Sequence, residues 1–110
     1  MARIVPLIEQ RRGGVPLVRF DRAEMFRLLT LYSRRVADGE WRDYAIDLIP
    51  GRAVFSIFRH TLDKPIYTIT KRADRGLGFE VKSGSGQLTR ARTLDEALLV
   101  FDRSLRLVTH

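Results

Sequence analysis

The sequence predicts an α+β domain: an antiparallel meander of about five short strands, with an N-terminal-side helix over about 21–38 and a C-terminal helix over about 94–108. Two observations carry this prediction. Apolar residues at helical spacing begin behind a capping pair at Asp21 and again behind one at Thr93. Between these stretches lie short runs rich in β-branched and aromatic residues, most of them bounded by Pro, Gly or Ser.

Residues 1–14 read as an arm and linker ahead of a single domain over 15–110. Residues 3–8 are strand-like, and Gln10-Arg11-Arg12-Gly13-Gly14 reads as a flexible link, so the arm must dock on its own sheet or on a partner's. The apolar start is broken by Pro6, ends at Glu9 and lacks a small-residue cleavage site, unlike a signal peptide. Val15 to Phe20 is a second extended segment, and Pro16 marks it as an edge or a strand start.

Asp21 and Glu24 form an N-terminal capping pair for the first helix. Met25, Leu28, Leu29, Tyr32 and Val36 share one face, Phe26 and Leu31 widen it, and Arg27 and Arg34 lie opposite. Gly39 supplies the stop. Tyr44–Ile49 and Arg52–Arg59 read as a hairpin around Pro50-Gly51, which suits the central positions of a type II turn. Ile66–Thr70, Phe79–Lys82 and Gln87–Arg92 are the later strands. Thr93 and Glu96 cap the second helix, whose stripe is Leu94, Ala97, Leu98, Phe101, Leu105 and Val108. Leu99, Val100 and Leu107 fall outside that stripe, so this helix can meet apolar partners on more than one side.

Alternation puts Ala53, Phe55 and Ile57 on one sheet face and Val54 and Phe58 on the other. A sheet with one solvated face would alternate more cleanly. The expectation is therefore a helix on each face, or a second face covered by the arm or by another subunit, and hence a homodimer.

The chain has 110 residues, no Cys and two His, and it is 45% hydrophobic. That length makes one domain and buries roughly two-thirds of its unfolded surface. The missing thiols exclude a disulfide scaffold and any Cys-based metal site, and the apolar content excludes a disordered tail. No apolar run approaches a bilayer span of about 18–20 residues. The net charge of +7 is uneven, with +3 in residues 1–20 and +4 in residues 71–92. Of 20 basic residues 17 are Arg, which suits phosphate contacts but also follows from codon usage.

The basic stretch supplies a candidate polyanion site: Lys71, Arg72, Arg75, Lys82, Arg90 and Arg92, with Tyr67 and Phe79 interleaved. Cationic forks for phosphate and rings for stacking are the ingredients of nucleic-acid binding. Trp41, Arg42 and Tyr44, just past the first helix, form a candidate interface or stacking cluster; alternatively Trp41 caps the core there. No catalytic residue is assigned. His60 near Asp63 reads as a solvated loop pair, His110 is terminal, and the Asp43/Asp47 pair has Arg42 and Arg52 beside it. No spacing of His or carboxylates closes a metal shell. Ser83-Gly84-Ser85-Gly86 lacks a P-loop ending and reads as a hairpin turn.

Gly39-Glu40-Trp41-Arg42-Asp43-Tyr44-Ala45-Ile46-Asp47 followed by Arg52-Ala53-Val54-Phe55-Ser56-Ile57-Phe58-Arg59 resembles the alphaproteobacterial family catalogued as domain of unknown function 2794. Phe20-Asp21-Arg22, Leu31-Tyr32, Pro65-Ile66-Tyr67-Thr68-Ile69 and Lys71-Arg72 fit the same pattern, and the match runs from about Val18 to Val108. The resemblance implies a single cytoplasmic bacterial domain and brings no activity, cofactor or site.

The expected function is a non-enzymatic binding module for nucleic acid or another polyanion, needing no cofactor, metal or membrane. The alternative is a homodimeric protein-interaction or assembly module with no nucleic-acid role. The two differ in where the six basic residues point: convergence on one exposed face favours a polyanion, whereas scatter or pairing with acids favours a protein partner.

Overall fold

The computed structural model describes residues 17–60, 64–74, 76–84 and 86–108, the last six by backbone alone. The N-terminal arm, Asp63, Arg75, Ser85, His110 and the side chains of Leu105, Leu107 and Val108 lie outside the described residues. In chain order the elements are α1 (Arg22–Ala37), β1 (Asp43–Ile49), β2 (Arg52–Phe58), β3 (Tyr67–Arg72), β4 (Gly78–Ser83), β5 (Gly86–Ala91) and α2 (Leu94–Val108). The strands form one five-stranded antiparallel sheet in sequence order. The domain is α+β, as the residue pattern predicts.

Local chemistry sets the element ends. The Glu24 backbone N–H donates to the Asp21 carboxylate at 2.8 Å, and the Asp21 N–H donates back to Glu24 at 2.8 Å, closing a reciprocal box. At the other end of α1, Gly39 takes φ +78°, a conformation most side chains resist. The Gly39 N–H then reaches the Val36 carbonyl and the Glu40 N–H the Arg35 carbonyl, both at 2.9 Å, in a Schellman arrangement. Gly51 takes φ +80° between paired Ile49 and Arg52, so Pro50-Gly51 forms the two-residue turn of the β1–β2 hairpin.

Cross-strand register sorts the side chains. Tyr44, Ile57, Tyr67 and Ser83 share one rung, Ile46, Phe55, Ile69, Val81 and Thr89 the next, and Leu48, Ala53, Lys71, Phe79 and Ala91 a third. These rungs face the helices. Phe55, Ile57, Ile69 and Val81 are fully buried there with Leu28 of α1, each gaining about 1.5–3 kcal/mol from leaving water.

Both helices cover this one face: α1 through the Tyr32–Tyr44 ring contact and α2 through Phe101 against Tyr67. A helix on each face, one of the arrangements expected from the apolar side chains, does not occur. The second face carries Val54 and Phe58 among polar neighbours, and Ser56, Thr70 and Glu80 are buried on it.

The buried stripe of α1 also differs from the one its spacing suggests. Leu28, Leu31 and Arg35 are buried, whereas Val36 and Phe26 are exposed. The reason is Arg35. Its guanidinium donates to the Phe101 carbonyl of α2 at 3.0 Å and to Glu40 at 2.5 Å. It also lies 5.4 Å from the Trp41 ring centre and 5.7 Å from that of Phe101. An arginine with this many partners draws the helix round, and Val36 turns outward.

Arg35→Ala is expected to destabilise the domain by about 3 kcal/mol, since it strips a buried carbonyl and a carboxylate of a charged donor. Arg35→Lys should recover little, because an ammonium cannot match the planar fork. Urea unfolding followed by Trp41 fluorescence measures both, and a loss below about 1 kcal/mol would refute the assigned role.

Candidate functional site

Of the six basic residues of the candidate polyanion site, Arg75 lies outside the described residues, and the other five do not act alike. Lys71 lies on the helix-covered face, where its ammonium donates to Glu24 at 2.8 Å and to the Arg19 carbonyl at 3.0 Å. That leaves it locked inside the fold. Arg72, Lys82 and Arg90 lie on the opposite face around a single buried carboxylate, Glu80. Glu80 is 3.3 Å from Arg72, 3.4 Å from Arg90 and 4.0 Å from Lys82. Arg72 makes a second, forked pair with Asp74, at 3.0 Å through Nε and 3.0 Å through Nη2. Arg92 is exposed at the end of β5.

Arg72, Arg90 and Arg92 also line a cleft of about 300 Å³ with Leu77, Phe79 and Glu80. This cleft brings together three of the predicted residues, but with an acid among them. The register extends the mixture: Asp47, Val54, Thr70, Glu80 and Arg90 form one rung, and Arg52 stands opposite Arg72 in the next. The Arg52 Nε is buried with no hydrogen-bond partner. The face as a whole interleaves both signs.

The Trp41–Arg42–Tyr44 string divides by alternation. Trp41 is buried against Phe101, with ring centres 5.5 Å apart, and also approaches Tyr32 and Tyr67. Tyr44 stacks on Phe55 at 5.1 Å and meets Tyr32 edge-on at 4.8 Å. Burial, and then the neighbouring Tyr44, raise the Tyr32 phenol above its ordinary value. Only Arg42 of the three is exposed. The rings of this string stack inward on the core.

Asp43 and Asp47 point to the face away from the helices, as their spacing requires, and the Asp43 carboxylate accepts the Tyr44 N–H at 2.8 Å. His60 is exposed just past β2. Among the described residues no three His, Asp or Glu side chains gather as a metal cluster. Ser83 and Gly86 pair across the β4–β5 turn, as the hairpin reading of that Gly-rich string requires.

A second cleft, which no sequence motif marks, lies between the helices. It holds about 360 Å³ and is lined by Phe26, Arg27, Thr30, Leu31, Arg34, Asp95, Leu98, Leu99 and Asp102. Phe26 is 71% exposed and Leu99 48%, so two large apolar side chains stand in solvent beside it. Arg27 pairs across it with Asp95. A phenylalanine beside the apolar stripe of α1, together with Leu99 outside that of α2, is the sequence signal for this groove. It becomes readable only once Arg35 sets the rotation of α1.

Two helices laid on one face of a five-stranded antiparallel meander define a small α+β domain. Residues 18–98 match the family described as protein of unknown function (DUF2794), and the chain belongs to that family. No curated protein and no solved structure matches the chain. Among the described residues, no helix is long and apolar enough to cross a membrane.

The Arg72–Asp74 pair makes a pH prediction. The hydrogen bond from Arg72, opposed by desolvation, holds the Asp74 carboxyl below its ordinary value, and the bond to Asp74 raises Arg72. A carboxyl depressed in the folded state contributes stability above its unfolded value and loses it as pH falls through the folded one. Asp74→Asn should therefore lower the thermal midpoint at neutral pH, with the gap to wild type closing below about pH 4. A gap that stays constant across the acid range would sink this account.

Proposed function

We propose that this chain is a non-enzymatic protein-interaction module that docks its partner in the α1–α2 groove. The observation that carries the reading is the exposure of Phe26 and Leu99 on a groove whose rim bears both signs of charge. Exposed apolar area ringed by charge is what a protein partner covers, with the apolar centre supplying affinity and the rim setting register. The state of the basic residues supports the same choice. Lys71, Arg72, Lys82 and Arg90 all have acidic partners, so much of their charge is already neutralised. A cytoplasmic location belongs to the same reading.

The test is recovery from native lysate with wild type and Phe26→Glu, scored for protein and for nucleic acid. Phe26 is mostly solvated, so its replacement leaves the core intact. Wild type should recover protein that the variant loses, without nucleic acid. Recovery of nucleic acid, equal for both, would overturn the reading.

The cleft lined by Arg72, Arg90 and Arg92 favours a second reading, capture of a nucleic acid or another polyanion. If three arginines each neutralise a phosphate, the logarithm of affinity should fall with that of salt at a slope of about −2 to −3. Glu80→Gln should strengthen such binding, because it removes the acid those arginines share. Undetectable binding of mixed DNA and RNA at low salt, or binding without salt dependence, would dismiss it.

A further inference from the structure

We propose that the occupant of the α1–α2 groove is a second copy of this chain, docked about a two-fold axis that runs along the helices. This rests on the groove being a docking surface, and it names the partner. Two contacts show how the helices lie. Arg27 in the second turn of α1 meets Asp95 at the start of α2, and two turns later Arg35 meets the Phe101 carbonyl. The helices therefore run side by side in the same direction, with Arg34 level with Asp102.

The groove has rims of opposite sign. α1 contributes Arg27 and Arg34, and α2 contributes Asp95 and Asp102. Arg27 and Asp95 already pair within the chain, whereas Arg34 and Asp102, both exposed at the other end, have no ion-pair partner among the described residues. A two-fold interface must be complementary to itself, each residue meeting its counterpart's mate twice.

Two such axes can lie in the plane of the groove. One perpendicular to the helices stacks α1 on α1 and sets arginine against arginine. One along the helices stacks α1 of each protomer on α2 of the other, at the same level. The second arrangement puts Arg34 on the partner's Asp102 and Asp102 on the partner's Arg34, and it encloses Phe26 and Leu99 of both protomers between the two helix pairs. Charge thus selects the axis, while the apolar residues between the rims supply the area to bury. The contact closes on itself and leaves no rim free for a third copy.

Sedimentation velocity of the full chain over a range of concentrations tests this. Wild type should form a dimer, and Phe26→Glu and Leu99→Arg should be monomeric with unchanged far-ultraviolet dichroism and Trp41 fluorescence. Arg34→Asp and Asp102→Arg should each weaken association roughly tenfold, because the pair occurs twice in the dimer. The double reversal should restore it to within about threefold of wild type. A wild type that stays monomeric overturns the proposal, as does a dimer indifferent to Phe26 and Leu99, and a double variant no tighter than either single one overturns the axis. Loss of the groove as a docking surface reads differently: Phe26→Glu would then recover the same proteins from lysate as wild type.

Discussion

A buried guanidinium holds the parts of this domain to one another. Arg35 leaves water near the end of α1, a costly position for a cation unless its donors are satisfied. It satisfies them with a carboxylate just past the helix, a carbonyl of α2 and the rings of Trp41 and Phe101. Three consequences follow. The stripe of α1 rotates so that Leu31 turns inward and Val36 outward. Trp41 is drawn back under the helix by the Gly39 turn, which starts β1. α2 is tied alongside α1 on the same face of the sheet, so that face is covered while the opposite one keeps its charges. The groove between the helices is a product of that tie.

The sheet separates two kinds of chemistry. Toward the helices its rungs are apolar apart from Ser83, Thr89 and Lys71, the last of which reaches out to Glu24 and to the Arg19 carbonyl. Glu24 thus serves two ends, capping α1 and anchoring it to β3. Away from the helices the rungs are charged, and Glu80 sits low in the sheet among Arg72, Lys82 and Arg90. A carboxylate held by several cations repays its desolvation better than one in a single pair. It also lowers the field that those cations present to an anion in solution. A net charge of +7 therefore overstates the free positive surface of the folded domain.

Much of this fold is legible in the sequence because its signals are local. Asp21 with Glu24, Gly39 and Pro50-Gly51 act within a few residues of themselves, and each performs its expected task. The strands follow from alternation, which needs no knowledge of neighbours. The candidate site was less legible. Lys71 and Arg72 are adjacent in the chain, yet β3 sends one to the core side and the other to the charged face. Whether a strand residue is free or engaged depends on what stands opposite it, and that is set by register. Nothing local distinguishes Glu80 from any acid in a strand, and a helical arginine such as Arg35 ordinarily points to solvent.

By itself, then, the sequence determined the class of the domain, the places where its helices and strands begin and end, and the absence of thiol chemistry. Capping, turn conformation and side-chain alternation are decided by residues within a turn or two of one another. Tertiary structure alone decided that both helices share one face, that Arg35 is buried while Phe26 is not, and that most of the basic stretch is matched by acids. Those outcomes depend on pairings such as Arg35 with Phe101 and Lys71 with Glu24, separated by 66 and 47 positions in the chain. Such contacts form only when packing brings distant segments together, and no local pattern encodes which of several arginines will find a carbonyl waiting.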